Sequence, residues 1–456
     1  MERAEFLEKL WLAYPPAERG WQDVARYLPE SNGGIASVNV CGRLECLERV
    51  GEPGACWALV SGGARLEVVF ADDCQWLGTR TQAELTPTLL RSGDLVCVAL
   101  TAVNEGQPHA AGTCRLLVPV KGDFALASAF TQERSRHWQS LAASVREFFL
   151  HRGFVEAVTP TLVPSPGTEP FLEPFTTEWR MGSLSRRVFL PTSPEFHLKK
   201  MLVAGWTRVF ELKTCFRNGE VGPHHQPEFT MLEWYRAYDT LDSIADDVDA
   251  LLASASVAAG RPPPQLQRTT MRELFAAEFP GFRLEPETTR DQLASLARAQ
   301  GIAIVDDGSN ADSWDEIFFR IFLEKIEPRL GKTEPVLVRG YPPSQAALSR
   351  IGPDGFADRF EVYWRGLELA NAFHELNDPL ENERRFAADL AAKRARGFSP
   401  VPLDAELRRA LEHGLPPSGG IALGLDRLFM AIYGIELLAD TRAFPYVEDA
   451  TSAGPS

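Results

Sequence analysis

The segment of residues 209–238 constrains the fold of this chain more than any other. Its two arms, residues 209–217 and 228–238, are rich in aromatic and β-branched side chains. The stretch between them is mainly glycine, asparagine, proline and histidine with a few other residues. Two such arms around a polar stretch predict a β-hairpin with a long tip that cannot be core.

The second arm of this hairpin carries a candidate ligand face. A strand places alternate side chains on one side of a sheet, so Phe229, Glu233 and Tyr235 should share a face. The first arm ends at Arg217. Carboxylates, aromatic rings and a guanidinium group on one sheet face together indicate a binding site.

Composition excludes several classes of protein. A chain of 456 residues can hold two or three domains. Its apolar runs stop well short of the ~18 residues of a membrane helix and its N-terminus is not signal-like, so we expect a cytoplasmic protein with no membrane partner. The seven cysteines form no Cys-x-x-Cys pair, which favours reduced thiols. The net charge of -15 argues against nucleic acid as the main ligand.

The first 125 residues predict a domain of their own. Residues 1–30 suggest two short helices, and residues 37–122 contain five short β-runs that would make a small barrel resembling an OB-fold. The 11 basic and 16 acidic residues of this domain are unusual for a reader of nucleic acid. Trp57 and Phe70 would either stack on a base or fill the barrel core.

The region after this domain begins with a helix and a strand. Residues 128–153 have helical periodicity, and the strand of residues 154–158 ends just before Pro160. A loop rich in glycine and proline follows around Gly167.

A second helix is predicted to open at residues 193–195, where the sequence reads Ser-Pro-Glu. Ser193 is the candidate N-cap, and Glu195 lies in the first turn, where it either binds a ligand or merely complements the helix dipole.

Three stretches together resemble motifs 1, 2 and 3 of the class II aminoacyl-tRNA synthetases. They are the helix, strand and proline ending at Pro160, the hairpin, and residues 419–432 (GGIALGLDRLFMAI). The stretches TSPEFHLKKML, FRNGEVGPHHQPEFTMLEWYRAY and GLELANAFHELNDPLENERRF resemble the lysyl-tRNA synthetases. They resemble still more closely the elongation factor P lysine lysyltransferases, which attach a lysine-type amino acid to a translation factor.

This resemblance covers residues 128–446 and implies an α+β fold. We expect an antiparallel sheet of six or seven strands flanked by helices, preceded by the OB-like barrel. The expected organisation is residues 1–125 as N-terminal helices and barrel, 126–447 as the catalytic domain, and 448–456 as a disordered tail. Members of this class are usually homodimers through motif 1, so residues 128–160 should lie at a two-fold interface.

The resemblance also implies a site for ATP. Arg217 and Arg427 would be catalytic, because guanidinium groups cancel charge on phosphates. Phe229 would stack on adenine, with Arg427 over its other face. The implied ATP-binding residues are Arg217, Asn218, Gly219, Glu220, His225, Gln226, Phe229, Glu368, Leu369, Gly424 and Arg427. Mg²⁺ would be held by Glu361 and Glu368, unless Glu361 is simply an exposed edge residue.

A lysine-binding pocket is implied by the same resemblance. Glu195 would bind the α-ammonium, Arg217 with Asn371 the carboxylate, and a second group of acids and a tyrosine the side-chain ammonium. The implied substrate-binding residues are Gly167, Ser193, Pro194, Glu195, Glu233, Tyr235, Asn371, Glu375 and Ala422.

Four positions depart from the lysyl-tRNA synthetase pattern. Gly219 replaces a glutamate, Gln226 an asparagine, and Ala372 and Ala422 each a glycine. Glu220 is a candidate to replace the missing carboxylate. Ala422 matches the lysyltransferases instead, and we hypothesise that its methyl group favours β-lysine over lysine.

Three functions remain compatible with these motifs. The first is ATP-dependent activation of lysine or β-lysine and its transfer to a lysine side chain of elongation factor P. The second is a lysyl-tRNA synthetase that charges tRNA(Lys) with the help of the barrel. The third is an inactive regulatory paralogue, which the nearly complete set of ATP and lysine residues opposes.

Overall fold

The computed structural model describes residues 132–306 and 311–446, together with strands between residues 22 and 118. Contacts divide the chain into two compact units, Met1–Leu126 and Ala127–Ser456. Of residues 1–30, where we predicted two short helices, only the strand β1 (Gln22–Asp23) is described. The rest of this prediction lies outside the described residues. The predicted tail at 448–456 lies outside the described residues.

Eight further strands are described in the first unit, and five of them pair in a ring. They are β2 (Val38–Glu48), β3 (Cys56–Ser61), β4 (Ala64–Phe70), β5 (Gln75–Gly78), β6 (Glu84–Leu85), β7 (Leu95–Thr101), β8 (His109–Ala110) and β9 (Thr113–Val118). The pairings β2-β3-β4-β8-β7 close through β2 and β7, with Leu59, Val96 and Val98 buried. The pairing agrees with a small barrel, and its identity as an OB-fold stays a prediction. The side chains of Trp57 and Phe70 lie outside the described residues.

The second unit is built on one large sheet. Its strands are β10 (Val155–Glu156), β13 (Arg208–Phe216), β14 (Glu228–Ala237), β15 (Gln267–Thr270), β16 (Val336–Tyr341), β17 (Ala357–Trp364), β18 (Leu367–His374) and β19 (Ser418–Gly424). They lie in the order β10-β13-β14-β19-β18-β17-β16-β15. The six central strands are antiparallel, as predicted, and the edge strands β10 and β15 add a parallel pairing on each side. A separate hairpin, β11 (Thr176–Met181) and β12 (Leu184–Phe189), precedes the helix that carries Glu195.

Helices flank this sheet, which confirms the predicted α+β class. They are α1 (Gln132–His151), α2 (Glu195–Val203), α3 (Leu241–Ala258), α4 (Met271–Glu278), α5 (Arg290–Ala299), α6 (Trp314–Ile321), α7 (Pro379–Ala395), α8 (Ala405–Gly414) and α9 (Leu425–Tyr433). Short 3₁₀ and π turns follow α6 and α9. Among the described residues, no helix is long and apolar enough to cross a membrane.

The predicted hairpin is the centre of the main core. In its register Phe210 faces Trp234, and both are fully buried. Phe149 of α1 stacks on Phe210 with the ring centroids 4.8 Å apart. Burying aromatic side chains of this size contributes several kcal/mol of stability. The packing of α1 against this pair fixes the hairpin, and with it the opposite, ligand-facing side of β14.

Candidate active site

A cavity of about 1060 Å³ opens over the face of the sheet formed by β14, β19 and β18. Most of the predicted site residues line it, namely Ser193, Glu195, Arg217, Glu220, His225, Gln226, Phe229, Glu233, Glu368, Leu369, Asn371, Ala422, Gly424 and Arg427. The other predicted site residues are not part of this lining, namely Gly167, Pro194, Asn218, Gly219, Tyr235, Glu361 and Glu375.

Strand register explains why residues so distant in sequence meet here. Glu233 of β14 is paired with Ala422 of β19, and Ala422 is paired with Asn371 of β18. Side chains in register across neighbouring strands point to the same face. The row Glu233, Ala422 and Asn371 therefore forms part of the cavity floor, and the methyl group of Ala422 lies between an acid and an amide.

The amino-acid end of the cavity, which we define as Glu169, Glu195, Lys199, Glu233 and Glu375, has an internal ion pair. Lys199 Nζ donates to Glu195 Oε1 at 2.6 Å and lies 2.6 Å from Glu375 Oε2, at ion-pair distance but without hydrogen-bond alignment. Burial alone would lower the pKa of Lys199, but the two carboxylates outweigh it and raise this pKa. Lys199 is therefore a permanent cation among the acids.

The pKa of Glu375 is raised although Lys199 lies close to its carboxylate. Burial, with Glu195 adding to it, raises the pKa of Glu375 to about 7, while Lys199 acts in the opposite direction. A Cβ added at Gly420 would overlap both the Tyr235 ring and the Glu375 carboxylate. The glycine at this position of β19 thus lets tyrosine and acid lie side by side.

Glu233 lies beside Tyr235 on β14. The Tyr235 hydroxyl donates to Glu233 Oε2 at 3.3 Å, and Ser193 also bonds the carboxylate. Burial and the charge of Glu195 raise the pKa of Glu233 well above its usual value. Among the described residues, no Lys or Arg nitrogen lies within ion-pair distance of Glu233, so burial favours its protonated form until a cation binds.

Ser193 does not have the N-cap position that we predicted. Helix α2 begins at Glu195 with Pro194 as N-cap residue, because proline's fixed φ suits the entry into a helix. Ser193 Oγ still accepts a hydrogen bond from the Glu195 amide at 3.1 Å. The Ser-Pro-Glu turn therefore positions both Ser193 and Glu195 at the cavity.

The phosphate end of the cavity, defined as Arg217, Glu220, His225, Phe229 and Arg427, is cationic and more open. The Arg217 guanidinium lies over the Phe229 ring, 5.0 Å from its centroid, and 3.8 Å from Glu220. Arg217 Nε is buried without a hydrogen-bond partner in the described part of the chain. An unpaired buried donor is costly, so this nitrogen is suited to a ligand oxygen.

Arg427 lies in the first turn of α9, where β19 passes into the helix at Gly424. Its guanidinium donates to the Glu368 carbonyl at 2.8 Å and contacts His225 Nε2 at 2.9 Å. Burial, and next the charge of Arg427, lowers the pKa of His225. A neutral imidazole holds the arginine without repelling it, and the amino terminus of α9 adds positive potential for phosphate.

The hairpin tip is folded by local constraints. Gly219 has φ +76°, which a glutamate at this position would adopt only with strain. The backbone N–H of Asn218 donates to the Glu173 carbonyl at 2.8 Å. Gln226 is buried, and its Oε1 accepts the Tyr446 amide at 2.9 Å. Gln226 and Asn218 thus hold the tip, while Glu220 and His225 face the cavity.

The two predicted magnesium ligands have different surroundings. Both Glu361 oxygens are engaged, one by the Tyr341 and Tyr363 hydroxyls and the other by Arg359. Glu368 faces the cavity, and burial together with Glu361 raises its pKa to about 7. Within the described residues, no group of three or more His, Cys, Asp and Glu side chains could hold a metal alone. Glu368 therefore fits a cation that also takes ligands from a substrate.

Sequence reasoning missed Glu169, Lys199 and Gly420 as site residues. Lys199 follows Glu195 by four residues on a helix, a spacing that predicts an ion pair and was an available signal. Glu169 is a loop residue with no periodicity, and Gly420 is one glycine among several in its strand, so neither had a sequence signal.

Comparisons with known proteins agree with this geometry. The family described as tRNA synthetases class II (D, K and N) matches residues 125–448. An "Elongation factor P--(R)-beta-lysine ligase" of Enterobacter sp. (strain 638) is 38% identical over 311 residues, 67% of this chain and 92% of the relative. The protein of the same name from Vibrio vulnificus (strain YJ016) is 38% identical over 320 residues, 69% and 96% of the two chains. One from Edwardsiella ictaluri (strain 93-146) is 37% identical over 309 residues, 67% and 92%.

Proposed function

The chain belongs to the family of class II tRNA synthetases (D, K and N), and we propose that it is a ligase that activates lysine or β-lysine with ATP and transfers it to a lysine side chain of elongation factor P. The observation that carries the proposal is the juxtaposition of buried acids and a guanidinium on one cavity wall. The acids suit an amino acid with two ammonium groups, and Arg217 suits its carboxylate.

The residues of the phosphate end support the activation step. The substrate carboxylate must attack the α-phosphorus of ATP, although both are negatively charged, so the protein must position them and cancel charge. Arg217, which lines the cavity at the phosphate end, would bridge carboxylate and α-phosphate. Arg427 would hold the triphosphate, and Phe229 would stack on adenine. Pyrophosphate leaves, and the carboxylate becomes an aminoacyl-adenylate.

Transfer then needs an amine to attack the activated carbonyl. The attacking lysine loses a proton, an amide bond forms, and AMP departs with the electron pair of the broken bond. Asn371 lines the cavity next to Ala422, and its buried Oδ1 has no partner among the described residues. We propose that the Asn371 side-chain NH₂ group donates to the substrate carboxylate and that Oδ1 accepts from a substrate N–H group.

Magnesium would bind through Glu368, with the remaining ligands from ATP and water. Mg²⁺ commonly uses one or two carboxylates plus substrate phosphates, and it would supply charge cancellation on the phosphates. Glu361 would join only by exchanging a tyrosine or Arg359 partner; otherwise its carboxylate links β17 to Tyr341 of β16.

Elongation factor P is the proposed acceptor because the relatives with that activity in their names match most of their own length. Charging of tRNA is a second candidate, favoured by the ring-paired strands of the first unit. The excess of acidic residues in that unit opposes this alternative. We place the reaction in the cytoplasm, where translation factors act.

The test supplies labelled lysine or β-lysine with ATP and offers tRNA and purified elongation factor P as acceptors. We expect pyrophosphate exchange in the absence of acceptor and label on elongation factor P. Label on tRNA alone would support the second candidate instead. A wild-type protein that exchanges pyrophosphate with neither lysine would refute both.

We also propose a homodimer through α1 and β10. Large apolar side chains are exposed on and beside these elements, namely Leu150, Val155, Val158, Leu162 and Trp206. Val158 is 94% exposed, and an apolar cluster of this kind is typical of an interface. Light scattering should give a dimer, and Val158→Asp should shift it towards monomer. A wild-type monomer would contradict the proposal.

A further inference from the structure

The segment that follows α9, which we call the C-terminal strap (residues 438–446), runs beside the hairpin tip and is bonded to it. The backbone N–H of Leu438 donates to the Pro223 carbonyl at 2.8 Å. The backbone N–H of Tyr446 donates to Gln226 Oε1 at 2.9 Å. The strap therefore contacts the tip at both of its own ends.

Arg442, in the middle of the strap, joins the base of the tip to α9. Its Nη2 donates to Thr230 Oγ1 at 3.2 Å and to Asp426 Oδ2 at 3.3 Å. Its Nη1 lies 3.6 Å from Glu228 Oε1. Glu228 and Thr230 begin β14 where the chain leaves the tip, and Asp426 precedes Arg427 in the first turn of α9. One guanidinium group thus links the hairpin to the helix that carries Arg427.

The Asp426 carboxylate is the buried centre of this arrangement. It accepts the backbone N–H of Thr230 at 2.5 Å and the Thr441 hydroxyl at 3.1 Å, besides the bond from Arg442. Asp426 is only 1% exposed, and a buried carboxylate is stable only with such donors. Within the described part of the chain three residues donate to it, and two of them belong to the strap.

The strap reaches the phosphate end of the cavity through these contacts. Leu438 lines the cavity together with His225, Gln226 and Arg427. Arg427 of α9 contacts His225 of the tip at 2.9 Å, so the position of the tip relative to α9 sets the spacing of the cationic groups. A ligand binds more tightly when the groups that contact it are already held in place.

We propose that the C-terminal strap positions the hairpin tip for ATP, and that Arg442 and the Tyr446 N–H are the contacts through which it acts. This inference rests on the ATP binding of the proposed function, but on neither its amino acid nor its acceptor. Neither residue lines the cavity, so both are positioning residues. Arg442 acts through Asp426 and the start of β14, and Tyr446 acts through Gln226.

The first test measures the Kd of ATP by calorimetry, with Mg²⁺ and without amino acid. We expect Arg442→Met to raise this Kd about tenfold, because charged hydrogen bonds to two separate segments are lost. Arg442→Lys should recover part of the affinity, since an ammonium keeps the charge but not the planar fork. In pyrophosphate exchange at saturating ATP, the KM for lysine should stay unchanged in Arg442→Met.

Arg272→Met is the matched control for Arg442→Met. Arg272 of α4 is paired with Glu285, its side chain is 34% exposed against 22% for Arg442, and it does not line the cavity. Its replacement also removes an ion-paired guanidinium, but it should leave the Kd of ATP unchanged.

Two substitutions at Tyr446 isolate a single hydrogen bond. Tyr446→Pro removes the N–H group and leaves the buried Gln226 Oε1 without this donor, so we expect the Kd of ATP to rise about fivefold. Tyr446→Ala keeps the N–H group and removes only the side chain of a residue that is 56% exposed. The Kd of ATP in Tyr446→Ala should equal that of wild type.

Hydrogen exchange followed by mass spectrometry shows whether the tip itself is released. In Arg442→Met and Tyr446→Pro, backbone N–H groups of residues 218–227 should exchange faster than in wild type. Residues 176–189, which form the separate hairpin of β11 and β12, should exchange at the wild-type rate. Faster exchange in both regions would indicate general loss of stability and would contradict a positioning role.

Three further outcomes are decisive. An unchanged Kd of ATP in both Arg442→Met and Tyr446→Pro would overturn the inference, as would a rise of the same size in Arg272→Met. A wild-type protein that binds ATP but exchanges pyrophosphate with neither lysine would refute the proposed function, while the Kd values would still decide on the strap. A wild-type protein that does not bind ATP would overturn both.

Discussion

At the amino-acid end of the cavity the charges are buried, with the side chains of Lys199 and Glu375 only 4% and 1% exposed, whereas Arg217 and Glu220 at the phosphate end are 27% and 28% exposed. Buried charges need fixed partners, and Lys199 provides one. Partly hydrated charges need none until a ligand arrives. Under the proposed function, the first end would discriminate between small amino acids and the second would bind a triphosphate reversibly.

The largest expected effect is at the phosphate end. Replacing Arg217 with alanine should lower kcat for pyrophosphate exchange by about 10²–10³-fold, because a guanidinium that stabilises developing charge is lost. Arg217→Lys should recover only part of this, since an ammonium cannot form the planar two-point contact. Full activity of Arg217→Lys would show that this end needs only a point charge.

At the amino-acid end, removal of the buried cation should lower the free energy of unfolding. Lys199→Met leaves Glu195 and Glu375 buried without their cation, and we expect urea denaturation to show about 3–5 kcal/mol less free energy of unfolding. The double variant Lys199→Met/Glu375→Gln should regain part of it. Lys200→Met is the matched control. Because Lys200 is more exposed, its replacement should lower the free energy of unfolding by less. Equal losses for Lys199→Met and Lys200→Met would contradict this.

A single methyl group at the amino-acid end should influence the preference between β-lysine and lysine. Ala422→Gly removes the side chain between Glu233 and Asn371, and we expect the preference for β-lysine over lysine to fall about tenfold. The measurement is the ratio of kcat/KM for the two isomers in pyrophosphate exchange. An unchanged ratio would mean that Ala422 does not decide between them.

The smallest expected effect is the pH dependence of lysine binding. The pKa of Glu375 is raised to about 7, and only its ionised form attracts an ammonium, so KM for lysine should fall about threefold from pH 6.5 to 7.5. The free protein should lose stability over the same range, because a raised pKa favours the protonated folded state. A KM for lysine that does not change with pH in the wild type would refute this prediction. In Glu375→Gln we expect the KM for lysine to be independent of pH.

Much of this fold followed from local pattern. The hairpin, the α1 helix ending near Gly153 and the strand-to-helix junction at Gly424 were predictable because alternation, 3.6-residue periodicity and glycine or proline punctuation are local signals. The predicted family and the α+β class are confirmed. The strand predicted at residues 154–158 corresponds to β10, but its parallel pairing was not predicted. The parallel edge strand β15 was not predicted either, because four residues hold too little pattern.

The site was predictable only where a motif fixed it. Fourteen predicted residues line the cavity, yet their individual roles stay predictions. Lys199 was visible in the sequence as a helical residue, but its contact with Glu375 joins positions 176 residues apart. No local rule could give that contact.

The sequence alone therefore determined which chemical groups this protein brings to its site: two arginines, an aromatic ring and several carboxylates on a class II framework. The tertiary structure alone decided which of those charges are already matched. A charge's partner depends on distance through space and on burial, and both arise only when strands distant in sequence pair and exclude water. The hairpin supplied Glu233, but only the folded sheet and loops left Glu233 without a cation.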